Sequence, residues 1–481
     1  MVQIQNFING EFQSPSSNHT LEVFEPATGQ VYAQVVDSNA DDVQQAVLAA
    51  ASAFEDWSTV SIQDRANYLH KIADGIESRL DEMAEYESRD TGKPVTLAKS
   101  VDIPRAISNL RFFADFAQSF EFESTLNSDQ SNNTIRRSPL GVVGCISPWN
   151  LPLYLFTWKI APALISGNTV VAKPSEITPY TAFVLGEICQ DVGLPAGVLN
   201  IIHGQGSKAG DALVSHPDVK AISFTGGTAT GKLIAEKSAS SFKKLSLEMG
   251  GKNPAVIFAD CDFENTVTEL VRSSFSNQGQ ICLCSSRILV EESIYNRFKS
   301  DFVSKVSALK IGDPTELETQ FGAVSSKGHF DKIMHSINRA IEDSGIILTG
   351  GKQTELEGRC KNGWFVEPTI IEGLPNECVT NQQEIFGPVV TLQSFSNEEE
   401  VVQLSNGVEY GLSATIWTED IEKAYRVSNR IEAGVIWINC WLVRDLRTPF
   451  GGMKESGLGR EGGEEALRFF TEPKNICKIN D

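Results

Sequence analysis

From residue 141 onward the chain changes hydrophobic period at a regular interval, and this alternation limits its possible folds more than any other feature. Apolar runs of strand length stand at residues 141–147, 169–173, 198–203 and 221–225, with helical spacing between and after them at 155–164, 178–191, 207–215 and 230–238. Strand, helix, strand at this interval predicts a parallel sheet covered by helices, because parallel neighbours need a crossover rather than a tight turn. Such sheets hold ligands at the carboxyl ends of their strands. A second α/β set follows, with strands at 255–258, 288–290 and 346–348, helices at 263–276, 295–309, 330–344 and 421–431, and a strand-like end at 471–481. No low-complexity linker parts the two sets, so two α/β units packed about a cleft are expected.

The first forty residues read as short strands, with the hairpin signal Asn9-Gly10 among them. Helical spacing begins at Asp41 (Val43, Ala46, Val47, Ala50, Phe54), forms one pattern over 66–86, and returns at about 104–120. Residues 124–133 are polar and predict a loop or the tip of a projecting hairpin. The stretch 141–172 carries one charge, Lys159, in 32 residues, but prolines 148, 152 and 162 and polar Ser147, Asn150 and Asn168 favour strand, loop and helix over a membrane span.

Charge narrows the function. A net charge of −21 gives no general field to hold nucleic acid or an anionic membrane, so any bound anion must rest on a few local cations. The nine cysteines are an odd number scattered through 481 residues, and the N-terminus lacks a basic, apolar leader; a reducing, cytoplasmic setting is expected.

Several motifs bear on chemistry. Gly226-Gly-Thr-Ala-Thr-Gly231-Lys232 matches seven positions of the triphosphate loop, but Leu233 replaces the hydroxyl that binds Mg²⁺. A triphosphatase is therefore only a distant alternative, while Phe224-Thr-Gly-Gly at a strand end can still set backbone N–H groups against a pyrophosphate. Gly204-Gln-Gly206-Ser-Lys-Ala-Gly210 has one residue too many for the dinucleotide fingerprint. The six histidines show no metal-ligand spacing, and Cys282-Leu-Cys284 offers two sulfurs without nearby partners, so no metal is expected. Cys282 follows a helical pattern ended by Gly279, where a thiol can face a cleft or lie inert and half-buried. Glu248 sits in apolar company before Gly250-Gly251, either as a base of raised pKa or as a surface carboxylate at a strand end.

Seven segments in order resemble the NAD(P)-dependent aldehyde dehydrogenase superfamily: Ser147-Pro-Trp-Asn150-Leu-Pro, Lys173-Pro-Ser-Glu176, Phe224-Thr-Gly-Gly, Leu247-Glu248-Met-Gly-Gly-Lys-Asn-Pro, Gln278-Gly-Gln-Ile-Cys282, Glu384-Ile-Phe386-Gly-Pro and Pro449-Phe-Gly-Gly-Met-Lys-Glu-Ser-Gly. They span nearly the whole chain. The resemblance implies two Rossmann-like parallel-sheet domains and a small β element: dinucleotide binding in 1–118 and 139–249, catalysis in 250–460, and bridging to a second copy, as a homodimer or homotetramer, in 119–138 and 461–481. It implies Cys282 as the nucleophile that forms a thiohemiacetal and then a thioester, Asn150 with the Cys282 N–H as the oxyanion site, and Glu248 as the base that activates water. For the cofactor it implies Lys173 and Glu176 at the adenosine ribose, Gly206, Gly226 and Gly227 beside adenine and pyrophosphate, Glu384 and Phe386 at the nicotinamide end, and Trp149 as a further cofactor-binding position. A carboxylate at Glu176 accepts from a 2′-hydroxyl and repels a 2′-phosphate, favouring NAD. The family often has serine where this chain has Gly227.

Substrate preference follows from the resemblance at the tunnel positions, here Arg105, Leu151, Tyr154, Trp158 and Arg444. Enzymes for apolar aldehydes usually lack the two arginines, and a confined guanidinium calls for a carboxylate. The bland alternative pairs Arg105 with Asp102 and Arg444 with Asp445. Asp102-Ile-Pro-Arg105, residues 149–159 and residues 439–447 are similar to the branch that oxidises 2-aminomuconate 6-semialdehyde and its 2-hydroxy counterpart. An acidic aldehyde of that kind is the expected substrate; alternatives are another acidic semialdehyde such as succinate semialdehyde, or a non-catalytic binding protein on the same fold.

Overall fold

The computed structural model describes residues 2–16 and 19–480. Its larger sheet has eight strands in the order Gly457–Leu458, Lys244–Glu248, Val219–Thr225, Val142–Ile146, Thr169–Lys173, Leu199–Ile201, Asn6–Ile8, Glu11–Gln13. The five strands from Lys244–Glu248 to Leu199–Ile201 are mutually parallel, and only the outer strands run antiparallel. Chain order reverses at Val142–Ile146, which has the next strand, Thr169–Lys173, on one side and the later Val219–Thr225 on the other. A crevice opens at such a reversal, beyond the carboxyl ends of the strands.

The second sheet has seven strands: Ile346–Thr349, Thr369–Glu372, Val389–Phe395, Ser285–Glu291, Asn253–Ile257, Ser413–Trp417 and Val435–Ile438, parallel except at the Ile346–Thr349 edge. A third, antiparallel sheet joins Glu123–Asn127, Ser131–Pro139 and Thr471–Ile479, so the polar stretch near 124–133 is a hairpin. The helix Gly463–Phe469 lies outside this sheet and packs Ala466 and Leu467 into the core of the first unit. An N-terminal sheet of Val2–Ile4, Gln30–Val36 and Thr20–Glu25 completes the set.

Local signals account for many elements. Asn9 and Gly10 both take positive φ (54° and 80°) in the turn between the two strands they join, as a two-residue hairpin requires. Asn39 and Asp42 form a capping box at the start of Ala40–Thr59, which buries Val43, Ala46, Val47 and Ala50. Elsewhere the structure corrects the pattern. The single helix expected over 66–86 is two, Ile62–Ser78 and Leu80–Thr91, broken at Arg79 (φ −111°, ψ 22°), whose guanidinium binds Glu82 and Glu187. The 207–215 helix begins instead as a wide turn, Gly206–Gly210, before Asp211–Ser215. Five longer strands, Lys244–Glu248, Thr369–Glu372, Val389–Phe395, Ser413–Trp417 and Val435–Ile438, and the two-residue strands Tyr410–Gly411, Met453–Lys454 and Gly457–Leu458 carried no expectation. Among the described residues no helix is long and apolar enough to cross a membrane; the 141–172 stretch is the strand Val142–Ile146, the helix Pro152–Ile165 and the start of Thr169–Lys173.

The helix Pro152–Ile165 is buried nearly all round, packing against Ile103–Phe116, where the Phe113 ring stands 5.4 Å from Trp158. Because Phe113 is wholly buried, Phe113→Ala is expected to destabilise the fold by about 3–5 kcal/mol. A lowered melting temperature and denaturant midpoint check it.

Candidate functional site

The carboxyl ends of the first sheet bring several expected site residues together. Asn150 follows Val142–Ile146, Lys173 ends Thr169–Lys173, Gly226 follows Val219–Thr225, and Glu248 ends Lys244–Glu248. The second sheet faces them with the turn before Ser285–Glu291, which carries Cys282. Two adjoining cavities share Cys282: one of about 230 Å³ reaching Gly226, Gly227, Glu384 and Phe386, the other of about 170 Å³ reaching Glu248, Tyr154 and Arg444.

The cysteine turn is irregular and largely buried, so its polar groups need dedicated partners. Asn277 and Gln278 adopt left-handed backbone (φ 51° and 56°), and Gly279 (φ 68°) packs so closely that a Cβ there would collide with the Gly387 carbonyl. The Asn253 side-chain amide donates to the Cys282 and Cys284 carbonyls (2.7 and 2.9 Å), while its oxygen accepts from the Ser413 N–H. Asn150 Nδ2 donates to the Gln280 carbonyl at 2.9 Å, which fixes the amide by one of its two hydrogens and leaves the other for the adjoining cavity; Asn150 Oδ1 is buried without a partner among the described residues. Cys282 itself is half-buried.

Electrostatics at this junction favour neutral forms. Burial, then Glu384 and Glu248, push the Cys282 thiol up from its ordinary value. Both Glu248 oxygens are buried without a hydrogen bond among the described residues, and burial, then Glu461, raise its carboxyl well above the usual range against the opposing Lys159. Glu384 is raised to about 7 by burial although Gly251 N–H donates to it at 2.9 Å. Glu248 is therefore an interior group rather than a surface carboxylate.

On the larger cavity, Trp149 and Phe386 stand edge to face at 5.3 Å, and Phe386 has positive φ (61°). The helix Thr228–Ala239 begins at Gly227 with no side-chain cap, and a Cβ at Gly227 would meet nothing within 4 Å. Its first N–H groups therefore point into open space from a backbone that a pyrophosphate can approach, so the residues present fit an anionic dinucleotide. A serine at 227 would also fit. Lys232 reaches Glu455 on the surface, away from any phosphate role. Gly206 likewise has open space about its Cα, and the Lys173 ammonium is held by the Pro174 carbonyl and Glu176 (2.9 and 3.1 Å). Lys173 and Glu176 are thus partners of each other.

The smaller cavity is walled by Leu151, Tyr154, Trp158 and Trp441. Arg444 lies over the Phe450 and Trp158 rings (4.1 and 5.5 Å), and Asp445 pairs with Arg447 instead. Arg105 rests on the Tyr154 ring at 5.8 Å, behind the cavity wall rather than on its lining; Asp102 pairs with Lys93. Neither arginine forms an ion pair among the described residues. No group of three or more His, Cys, Asp or Glu placed to hold a metal occurs among them.

Sequence reasoning passed over several side chains here. Asn253 was visible only as part of a motif. His329 Nε2 donates to the Phe386 carbonyl at 2.7 Å, and burial pushes the ring down to about 4, so it is the neutral Nε2–H form that makes this bond. Arg272 donates to the Trp441 carbonyl (2.8 Å) and ties the Arg444 loop to the helix Phe263–Phe275. Glu461 accepts from Trp158 Nε1 (2.7 Å) and Lys159 (2.8 Å) beside Glu248. These residues lie far apart in the chain, and no spacing rule joins them.

Residues 12–476 match the sequence profile of the aldehyde dehydrogenase family. The chain is 50% identical over 476 residues to 2-aminomuconic semialdehyde dehydrogenase of Danio rerio, covering 98% of this chain and 97% of that protein. It is 45% identical to 2-hydroxymuconic semialdehyde dehydrogenase of Pseudomonas sp. strain CF600, with 99% of both chains covered. The NAD⁺ complex of an aldehyde dehydrogenase from Bacillus cereus superposes with a TM-score of 0.96 at 37% identity, covering 100% of this chain and 97% of that one.

Replacing Asn253 by leucine would leave the Cys282 and Cys284 carbonyls without their donor, at a cost of about 1–3 kcal/mol. The expected outcome is a lower melting temperature together with faster alkylation of Cys282 by iodoacetamide at fixed pH, read by peptide mass spectrometry.

Proposed function

The chain belongs to the aldehyde dehydrogenase family, and on that premise we propose that it oxidises 2-aminomuconate 6-semialdehyde, or its 2-hydroxy counterpart, to the dicarboxylate with NAD as acceptor. The observation that carries the substrate class is Arg444: a guanidinium without a carboxylate partner among the described residues, set on the wall of a mostly apolar cavity that also holds Cys282 and Glu248. Such a group recognises an anion at the far end of an aldehyde. Arg105 supports it from behind Tyr154. The relatives that act on muconic semialdehydes match over almost their full length.

In this reading residues 1–118 and 139–249 bind the cofactor, 250–460 carry catalysis, and 119–138 with 461–481 bridge to a second copy in a homodimer or homotetramer. The uncapped helix start at Gly226-Gly227 takes the pyrophosphate, Lys173 and Glu176 the adenosine ribose with Gly206 beside adenine, and Trp149, Glu384 and Phe386 the nicotinamide end. When bound, NAD accepts the hydride that leaves the substrate carbon. Glu176 favours a free 2′-hydroxyl over a phosphate. Nine free cysteines support a reducing, cytoplasmic setting.

The chemistry of the chain's own groups follows. The Cys282 thiol gives up its proton to solvent water, and the sulfur bonds to the aldehyde carbon as the C=O π pair moves to oxygen, which becomes an oxyanion. Asn150 Nδ2, prealigned by its bond to Gln280, and the Cys282 N–H stabilise that oxygen. Loss of hydride re-forms the C=O bond as a thioester on Cys282. Glu248 then removes a proton from water, the hydroxyl bonds to the carbonyl carbon, and the C–S bond breaks to release the acid and the thiolate. A carboxyl held high by burial suits this task, since it accepts a proton readily once ionised.

The test is a panel of 2-aminomuconate and 2-hydroxymuconate semialdehydes, succinate semialdehyde and acetaldehyde, followed by NADH absorbance. The muconic substrates are expected to lead in kcat/KM, and Arg444→Ala to lower that value about tenfold or more for them while sparing acetaldehyde. A leading value for succinate semialdehyde would move the assignment to a shorter acid, and unchanged kinetics in Arg444→Ala would remove the carboxylate role. Because burial raises both Cys282 and Glu248, and each acts deprotonated, kcat/KM is expected to climb with pH from the acid side through neutrality. A pH–rate profile checks this, and Glu248→Gln should lower kcat by about 10²–10⁴.

A further inference from the structure

Lys93 is wholly buried, lies outside every motif, and is held in place before its side chain begins. The helix Leu80–Thr91 ends at Gly92 (φ 78°), where a Cβ would stand 2.6 Å from the Ala323 carbonyl; Gly92 accepts from the Ala323 N–H, and Ser88 Oγ donates to the Lys93 carbonyl at 2.6 Å. From this fixed turn the Lys93 ammonium reaches two acceptors: the Asp102 carboxylate, buried on the wall of the substrate cavity, and the main-chain carbonyl of Asn150 at 3.1 Å.

Asn150 receives a second donor on the same carbonyl, Asn277 Nδ2 at 3.0 Å, and its own side chain donates to Gln280. Gln280 accepts the Ser325 N–H through its side chain (3.0 Å), and Ser325 Oγ donates to the Thr91 carbonyl (3.0 Å). The polar path thus closes on itself: Thr91, Ser325, Gln280, Asn150, Lys93. An interior circuit of this kind fixes the orientation of each member, because any rotation would strand a buried polar group.

We infer that Lys93 is a positioning residue for the oxyanion site: seated on Asp102, it holds the Asn150 main chain so that the Asn150 amide is presented to the cavity shared with Cys282. The inference rests on the reading of Asn150 given above. Lys93 touches neither substrate nor cofactor; it acts through Asn150. A displacement of about 1 Å at a reacting site is enough to lose about 10²-fold in rate.

The test is a double-mutant cycle between Lys93 and Asn150 on the full-length enzyme, with kcat and KM for the acidic aldehyde, NAD affinity from quenching of tryptophan fluorescence, and melting by circular dichroism. Lys93→Met is expected to lower kcat by about 10²-fold, with the aldehyde KM and the NAD affinity within about twofold of the parent, and to have no further effect in an Asn150→Ala background. Should Lys93→Met melt early because Asp102 is left unpaired, the Lys93→Met/Asp102→Asn protein, with no unpaired charge, carries the same comparison. A folded variant with parental kcat, or an equal loss in both backgrounds, would overturn the positioning role. An Asn150→Ala protein with parental kcat would instead overturn the reading of Asn150 itself.

Discussion

The site depends on one constraint: an irregular, largely buried turn must carry Cys282 to the junction of two cavities without leaving its main chain unsatisfied. Helices and strands satisfy their own backbone, but residues 276–284 do not form a continuous element of either kind. Side-chain amides supply the difference. Asn253 holds the far side of Cys282, Asn150 and Asn277 meet at Gln280 on the near side, and Gly279 lets the turn press against Gly387. The first and second sheets are joined where these amides cross, so the same bonds that satisfy the turn also fix the spacing of the two α/β units at the cleft.

Charge is organised on two scales. The chain as a whole is strongly acidic, and its long-range field opposes both an anionic dinucleotide and an anionic aldehyde. In the proposed reading recognition falls to short-range groups that act after solvent has been displaced: uncapped helix N–H groups on one side of Cys282 and Arg444 on the other. Between them the interior carboxyls Glu248 and Glu384 are driven toward their neutral forms by burial. This keeps negative charge low in the two cavities that Cys282 lines, as the proposed oxyanion and acidic ligand require.

Legibility in the sequence followed the kind of signal involved. Four strands of the first sheet were readable because they are buried over most of their length and separated by long helical crossovers, as at Thr169–Lys173 and Tyr180–Asp191, whereas Lys244–Glu248, half-buried in its first two residues, was not. The second sheet was harder: Thr369–Glu372 and Val435–Ile438 are four residues each, too short to show a period. The break at Arg79 was invisible because the apolar spacing continues from Ile76 to Met83 across it, whereas the break itself depends on Glu187 in another helix. Among site residues, those inside contiguous motifs could be named in advance; Lys93, Arg272, His329 and Glu461 could not, since each works through a partner more than fifty residues away in sequence.

The sequence by itself determined the fold class, the family and the candidate site residues, because period, turn residues and ordered motifs are local properties of the chain. Only the tertiary structure decided how those residues are held and what they face. It put Arg444 on the cavity and Arg105 behind its wall, paired Lys173 with Glu176, and buried Glu248 without a hydrogen bond among the described residues. The physical reason is that desolvation, ion pairing and hydrogen-bond direction depend on groups brought together from both sheets, and no stretch of sequence contains both sides of such a contact.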